Sequence, residues 1–164
     1  MKIQLFYICL IASIIEAIFI LSLIYFSFFN ILPITPSFTL KKKEKLKSRK
    51  VIQKLFKDGK SFSNFPIRVI YLPVENQDST LKAGFTVSTK YFKNAVDRNR
   101  VKRLMRESYR LQKNNLVNEL IKNNQQLAVF FIYTSGDLPK YQEVFEKSGI
   151  LLDRIEKTIS TNKK

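Results

Sequence analysis

Residues 97–110, DRNRVKRLMRESYR, constrain the fold of this chain more than any other segment. Six of the fourteen are Arg or Lys, interleaved with Val101, Leu104, Met105 and Tyr109. At about 100° per residue, placing Arg98 at zero sets Lys102, Lys113, Arg106, Arg110 and Arg103 within roughly the next 140°. Leu111, Leu104, Ser108, Val101, Gln112 and Met105 fall on the opposite arc, with Asn99 inside the cationic arc and Arg100 near its edge. The spacing predicts a sided helix, one face covering a sheet and the other holding charge outward.

Three roles compete for that charged face. A solvated helix usually mixes signs so that i,i+4 pairs offset repulsion. Here only Asp97 and Glu107 are acidic, whereas Arg98–Lys102, Lys102–Arg106 and Arg106–Arg110 are like-charge pairs. Each costs a few tenths of a kcal/mol, roughly, which favours a bound polyanion. A membrane-surface helix needs its apolar face for lipid, but that face is required to cover the sheet. Arg predominates over Lys, which suits bidentate contacts to phosphate. Nucleic acid is the reading that remains.

The whole composition agrees. Against 29 Lys and Arg stand 13 Asp and Glu, a formal charge of +16 in 164 residues. Lys2 and Glu16 are the only charges before Ser37, so all of that excess lies downstream. Cysteine occurs once, at Cys9, and histidine not at all. Disulfide frameworks, zinc sites, His general bases and Cys–His nucleophile pairs are therefore excluded together.

Around the basic helix the pattern alternates between helical and extended segments. Ser48 is placed to cap a short helix with Val51, Ile52, Leu55 and Phe56 as its apolar stripe and Gly59 as its stop. IRVIYLPV (67–74) and LKAGFTVS (81–88) read as strands, and the polar turn ENQDS between them predicts a hairpin. A buried-looking strand, QLAVFFIY (126–133), and a helix over 140–159 follow, with a further short strand around 61–65. The expected fold is a single compact α+β domain, α-β-β-(β)-α-β-α, built on a central sheet.

The first 37 residues stand apart. Residues 3–32 carry one charge, Glu16, and are long enough to cross a bilayer core as a helix. The heavier basic flank, KKKEKLKSRK, lies C-terminal to them, which would keep the rest of the chain cytoplasmic. The alternative is a start assigned too far upstream in an A/T-rich region. Pro33 and Pro36 set the boundary, giving an N-terminal extension over 1–37 and a nucleic-acid-binding domain over 38–164.

Helix-turn-helix readers of DNA need a short helix just before the recognition helix, whereas here a strand and the loop TKYFKN precede it. Phe56, Phe62, Tyr71, Phe85 and Tyr91 could stack on unpaired bases, which favours RNA, although most of these rings are expected in the core.

The segment KYFKNAVDRNRVKRLMRESYR (90–110) resembles the signature of the bacterial ribonuclease P protein component. It matches at Lys90, Ala95, Arg98, Asn99, Arg100, Lys102, Arg103, Arg106, Glu107, Tyr109 and Arg110. TLKKKEKLKS and KLFKDGKSF resemble the family's opening segment and first helix, and AGFTVSTK its strand before the signature; the resemblance covers about residues 39–158.

That resemblance implies a left-handed βαβ crossover and a protein subunit of an endoribonuclease that removes the 5′ leader of precursor tRNA. Its implied partners are ribonuclease P RNA, which carries the hydrolysis with Mg²⁺, and the precursor tRNA. It implies RNA contacts at Lys90, Arg98, Asn99, Arg100, Lys102, Arg103, Arg106 and Arg110, and a leader cleft with Ile52, Phe56 and Tyr71. Ile52 stands where the family often has an aromatic, and Ile70 is the alternative to Tyr71. The competing functions are a general RNA-binding or ribosome-associated protein without a tRNA-processing role, and a membrane-tethered RNA-binding protein if residues 3–32 span.

Overall fold

A computed structural model describes residues 38–75 and 77–161 of the chain. After a 3-10 turn at Lys42–Glu44 come helix α1 (Arg49–Asp58), strands β1 (Lys60–Asn64), β2 (Ile67–Pro73) and β3 (Leu81–Val87), helix α2 (Ala95–Lys122), strand β4 (Leu127–Tyr133) and helix α3 (Tyr141–Thr161). This is the expected α+β order, with the additional short strand realised as β1. The apolar segment 3–32 lies outside the described residues. Among the described residues no helix is long and apolar enough to cross a membrane.

The sheet runs β1-β2-β4-β3, and this corrects the hairpin expected between β2 and β3. LAVFFIY is apolar on both faces, which suits a central strand with helices packed on both sides of the sheet. It inserts between the two strands, antiparallel to β2 and parallel to β3. The hairpin is instead β1–β2, joined by Phe65 and Pro66, whose peptide bond is cis. Helix α2 forms the connection between the parallel strands β3 and β4.

Period-two alternation sends side chains to two faces. Val69, Tyr71, Leu81, Ala83, Leu127, Val129, Phe131 and Tyr133 meet α2 and α3 in the main core. On the other face Ile70, Ala128 and half-buried Phe130 and Ile132 pack with Leu55, Val51 and Ile52 of α1. That second layer is short, because α1 has only ten residues, and it leaves part of the sheet uncovered.

Local chemistry fixes α1 as expected. The Val51 N–H donates to the Ser48 hydroxyl at 3.5 Å, and the Gly59 N–H closes the helix on the Leu55 carbonyl at 3.0 Å. Gly59 has an extended φ of −75°, so the glycine is required by a close approach and not by a left-handed turn. A Cβ there would stand 2.2 Å from the Leu55 carbonyl oxygen and 2.7 Å from an Ile70 methyl.

Helices α2 and α3 approach closely through small residues. The Ser108 and Ser148 hydroxyls are buried and hydrogen-bonded to each other, and Gln112 Nε2 donates to the Phe145 carbonyl at 2.9 Å. Gly149 faces Gln112, whose Oε1 would lie 2.6 Å from any added Cβ.

Candidate nucleic-acid interface

Helix α2 buries a wider arc than its apolar residues alone suggest, because it packs on α3 as well as on the sheet. Val101, Met105, Ser108, Tyr109, Lys113, Leu116 and Leu120 are all buried. Tyr109, a position of the signature, is a core residue: its ring packs edge-on against Phe85 and Phe131, with centroids 5.5 and 5.7 Å away. Burial pushes its phenol pKa far up, aided by the nearby Glu44 carboxylate. Lys113, expected on the cationic arc, is 2 % exposed, which corrects that placement.

The outward face consists of Asn99, Arg100, Arg103 and Arg106, all exposed, with Lys102 half-buried at its border. Among the described residues none of these four cations has an ion-pair partner. Three of the residues lie within the first turns of a helix whose N-terminal dipole end is itself positive. Only Asp97 offsets that charge in the first turn. Like charges stacked on a positive helix end favour a nearby anion.

The remaining basic residues of the signature are engaged. Arg98 is half-buried, and its Nη1 donates to the Phe92 and Lys93 carbonyls at 2.8 and 2.6 Å, fixing the loop that leads into the helix. Arg110 forms a two-pronged contact with Glu107 and donates to the Phe38 carbonyl. That guanidinium holds the Glu107 carboxyl below its ordinary pKa. Lys90 is exposed on the loop before α2, where its backbone N–H is held by the Ser88 hydroxyl at 3.2 Å.

The second candidate site is the uncovered part of the sheet beside α1. Phe56 is 51 % exposed and meets Phe130 edge-on, with centroids 5.4 Å apart at 66°. Ile52 packs one turn earlier on the same layer. Tyr71 is not in this cleft. It is 4 % exposed on the opposite face and stacks on Phe62 at 5.4 Å, because strand alternation puts Ile70 on the cleft side.

The strand-borne aromatic of the cleft is Phe130, which the sequence reading placed only in a generic buried strand. Its ring lies over Gly84, where a Cβ would meet Phe130 Cδ2 at 2.3 Å and Cε2 at 2.4 Å. Arg68, exposed on the same face as Ile70 and donating to the Ser61 hydroxyl at 3.2 Å, adds a cation near the β1–β2 turn. The signal for Phe130 was the period-two phase of β4, readable only once its neighbours were known.

Similarity to known proteins points the same way as this geometry. A family model described as Ribonuclease P matches residues 40–156. A protein of Porphyromonas gingivalis called ribonuclease P protein component is 40% identical over 111 residues, covering 66% of this chain and 80% of the relative. Its Bacillus pumilus namesake is 33% identical over 123 residues, 73% of this chain and 99% of the relative. The ribonuclease P protein of Thermotoga maritima superposes with a TM-score of 0.55 at 26% identity, over 68% of this chain and 96% of that structure. That of Staphylococcus aureus shares the fold, with a TM-score of 0.57 at 22% identity, over 70% and 96%.

Proposed function

The chain belongs to the bacterial ribonuclease P protein component family, and from that premise we propose how its two surfaces divide the work. It is the protein subunit of an endoribonuclease that processes tRNA, and its partner is ribonuclease P RNA. Residues 38–164 act as the RNA-binding domain, with 1–37 as an N-terminal extension, and the cytoplasm is the compartment this role implies.

The observation that carries the reading is the outward face of α2, where Arg100, Lys102, Arg103 and Arg106 stand without partners among the described residues. This face docks on the catalytic RNA by pairing with its phosphates. Asn99, at the same level, supplies a hydrogen bond. Lys90 extends the surface, while Arg98 and Arg110 support it by holding the flanking backbone.

The cleft beside α1 takes the 5′ leader of precursor tRNA. Phe56 and Phe130 offer a ring edge and a ring face to unpaired bases, with Ile52 as the apolar wall. Phosphodiester hydrolysis belongs to the RNA subunit, and Mg²⁺ with it. The docking face sets one amide oxygen, Asn99, among cations, a donor set that does not fit a resident Mg²⁺. The protein's own contribution is to lower repulsion between two RNAs and to hold the leader in place.

Reconstitution with a bacterial ribonuclease P RNA tests the assignment. Addition of the protein is expected to stimulate cleavage of precursor tRNA at low Mg²⁺. Tight RNA binding with no stimulation would instead support a general RNA-binding protein.

A further inference from the structure

We propose that residues 38–47 form a second wall of the groove that receives the catalytic RNA, and that the buried Lys113–Glu44 pair is the latch positioning this wall. The inference rests on the docking role given to α2 above.

Lys113 is the one cation of the 98–113 run that turns fully inward. Its ammonium donates to the Thr39 carbonyl and to Glu44 Oε2, both at 2.6 Å, and Glu44 also accepts the Lys41 N–H at 3.1 Å. Arg110 holds the Phe38 carbonyl one turn away. At its other end the segment joins the outer edge of β3, with the Leu46 N–H donating to the Ala83 carbonyl at 2.9 Å. The segment is thus strapped between α2 and the sheet.

Between the strap and α2 lies an open groove of about 430 Å³, lined by Leu40, Lys45, Arg103, Arg106, Glu107 and Arg110 among others. Among the described residues its one carboxylate, Glu107, is already engaged by Arg110. Lys45, Arg103 and Arg106 are exposed and, among the described residues, have no ion-pair partner. Such a lining fits a run of phosphates, and its continuity with the α2 face assigns those phosphates to the catalytic RNA. Lys41, Lys42, Lys43 and Lys47, all exposed, extend the charge along the strap toward α1.

The latch has a reason to be ionic. A buried ion pair rarely stabilises more than an apolar pair of the same volume, but only one register of the strap brings Glu44 and the Thr39 carbonyl together on Lys113. Lys113 and Glu44 are therefore positioning residues, and Lys45 is a direct contact.

The full chain and a bacterial ribonuclease P RNA provide the test, with Arg103→Ala as reference. Lys45→Ala is expected to lower the slope of log binding constant against log salt by about one unit. The double variant Glu44→Gln with Lys113→Met removes both charges of the pair together. It should weaken catalytic-RNA binding about tenfold, the loss of one or two phosphate contacts, yet leave the affinity ratio of precursor over leaderless tRNA unchanged. As a second measurement, amide hydrogen exchange at Leu46 should quicken in Glu44→Gln alone, without RNA present.

Wild-type docking in both Lys45→Ala and the double variant, while Arg103→Ala docks weakly, overturns the strap as a wall and leaves the docking role of α2 standing. Unchanged exchange at Leu46 overturns the latch. A wild-type chain that fails to bind the RNA at all overturns the docking role and this inference with it.

Discussion

At the scale of single residues, the two RNA surfaces separate by chemistry and so by their response to mutation. Arg103→Ala or Arg106→Ala removes one exposed guanidinium without disturbing the core. Each should lower the salt slope for catalytic-RNA binding by about one unit, measured by titration at several salt concentrations. Phe56→Ala and Phe130→Ala should leave that slope alone and weaken leader binding by about 1–3 kcal/mol each if a base stacks there. Equal losses on both RNAs would contradict the division. Arg98 is a different case: its guanidinium closes on the Phe92 and Lys93 carbonyls, so its loss loosens the loop before α2 as well as removing charge.

At the scale of elements, two glycines show how the same substitution can act on stability or on function. A Cβ at Gly59 meets backbone, the Leu55 carbonyl at 2.2 Å, which cannot move without opening the end of α1. Gly59→Ala should therefore cost about 1–3 kcal/mol, read as a lowered midpoint in denaturant. A Cβ at Gly84 meets the ring of Phe130 at 2.3 and 2.4 Å, so that half-buried ring must shift from its packing on Phe56. Gly84→Ala should cost less stability than Gly59→Ala, since it displaces a side chain and not backbone, and should lower leader affinity because that side chain is the aromatic shelf of the cleft. The strap is the third element with a marked energetic signature. Lys113→Met alone leaves the Glu44 carboxylate, 18 % exposed, without its ammonium partner. Removing the ammonium alone should cost more than removing both charges, and thermal denaturation of the single and double variants separates the two.

For the whole molecule, the charge that serves RNA binding is set against folding. Like charges crowd the outward face of α2, so moderate salt should stabilise the free protein while it weakens the complex. Part of the pH response lies on the alkaline side. Tyr109, Tyr71 and Tyr133 all have phenol pKa values raised by burial, Tyr109 the most. A raised folded-state pKa means that the folded chain holds its phenol protons more tightly than the unfolded one. Stability is then fully present below the ordinary tyrosine pKa, near 10, and falls as pH rises above it. Tyr109→Phe should flatten that fall, measured as the midpoint of urea unfolding between pH 8 and pH 11. The acid side differs in sign: the Glu107 carboxyl, held low by Arg110, favours folding above its ordinary range and ceases to do so as pH falls.

Local information settled the short-range features. The Ser48 cap, the stripe of α1, the β-rich runs and the unpaired cationic side of α2 each depend on residues within a turn or two, and periodicity reports them directly. The signature at 90–110 likewise lies on contiguous residues, so the family was legible before any fold was known. What required the tertiary structure was every choice between partners distant in sequence. Strand β4, apolar on both faces and so suited to the covered middle of the sheet, lies between β2 and β3 in place of the expected hairpin. Tyr71 and Phe130 exchanged roles because the phase of a strand cannot be known until its covering helices are placed. Lys113 left the RNA face because Glu44, 69 residues earlier in the chain, folds back to meet it. A charged side chain is given to solvent or to the core by the company it finds there, and that company is assembled only when the chain closes on itself.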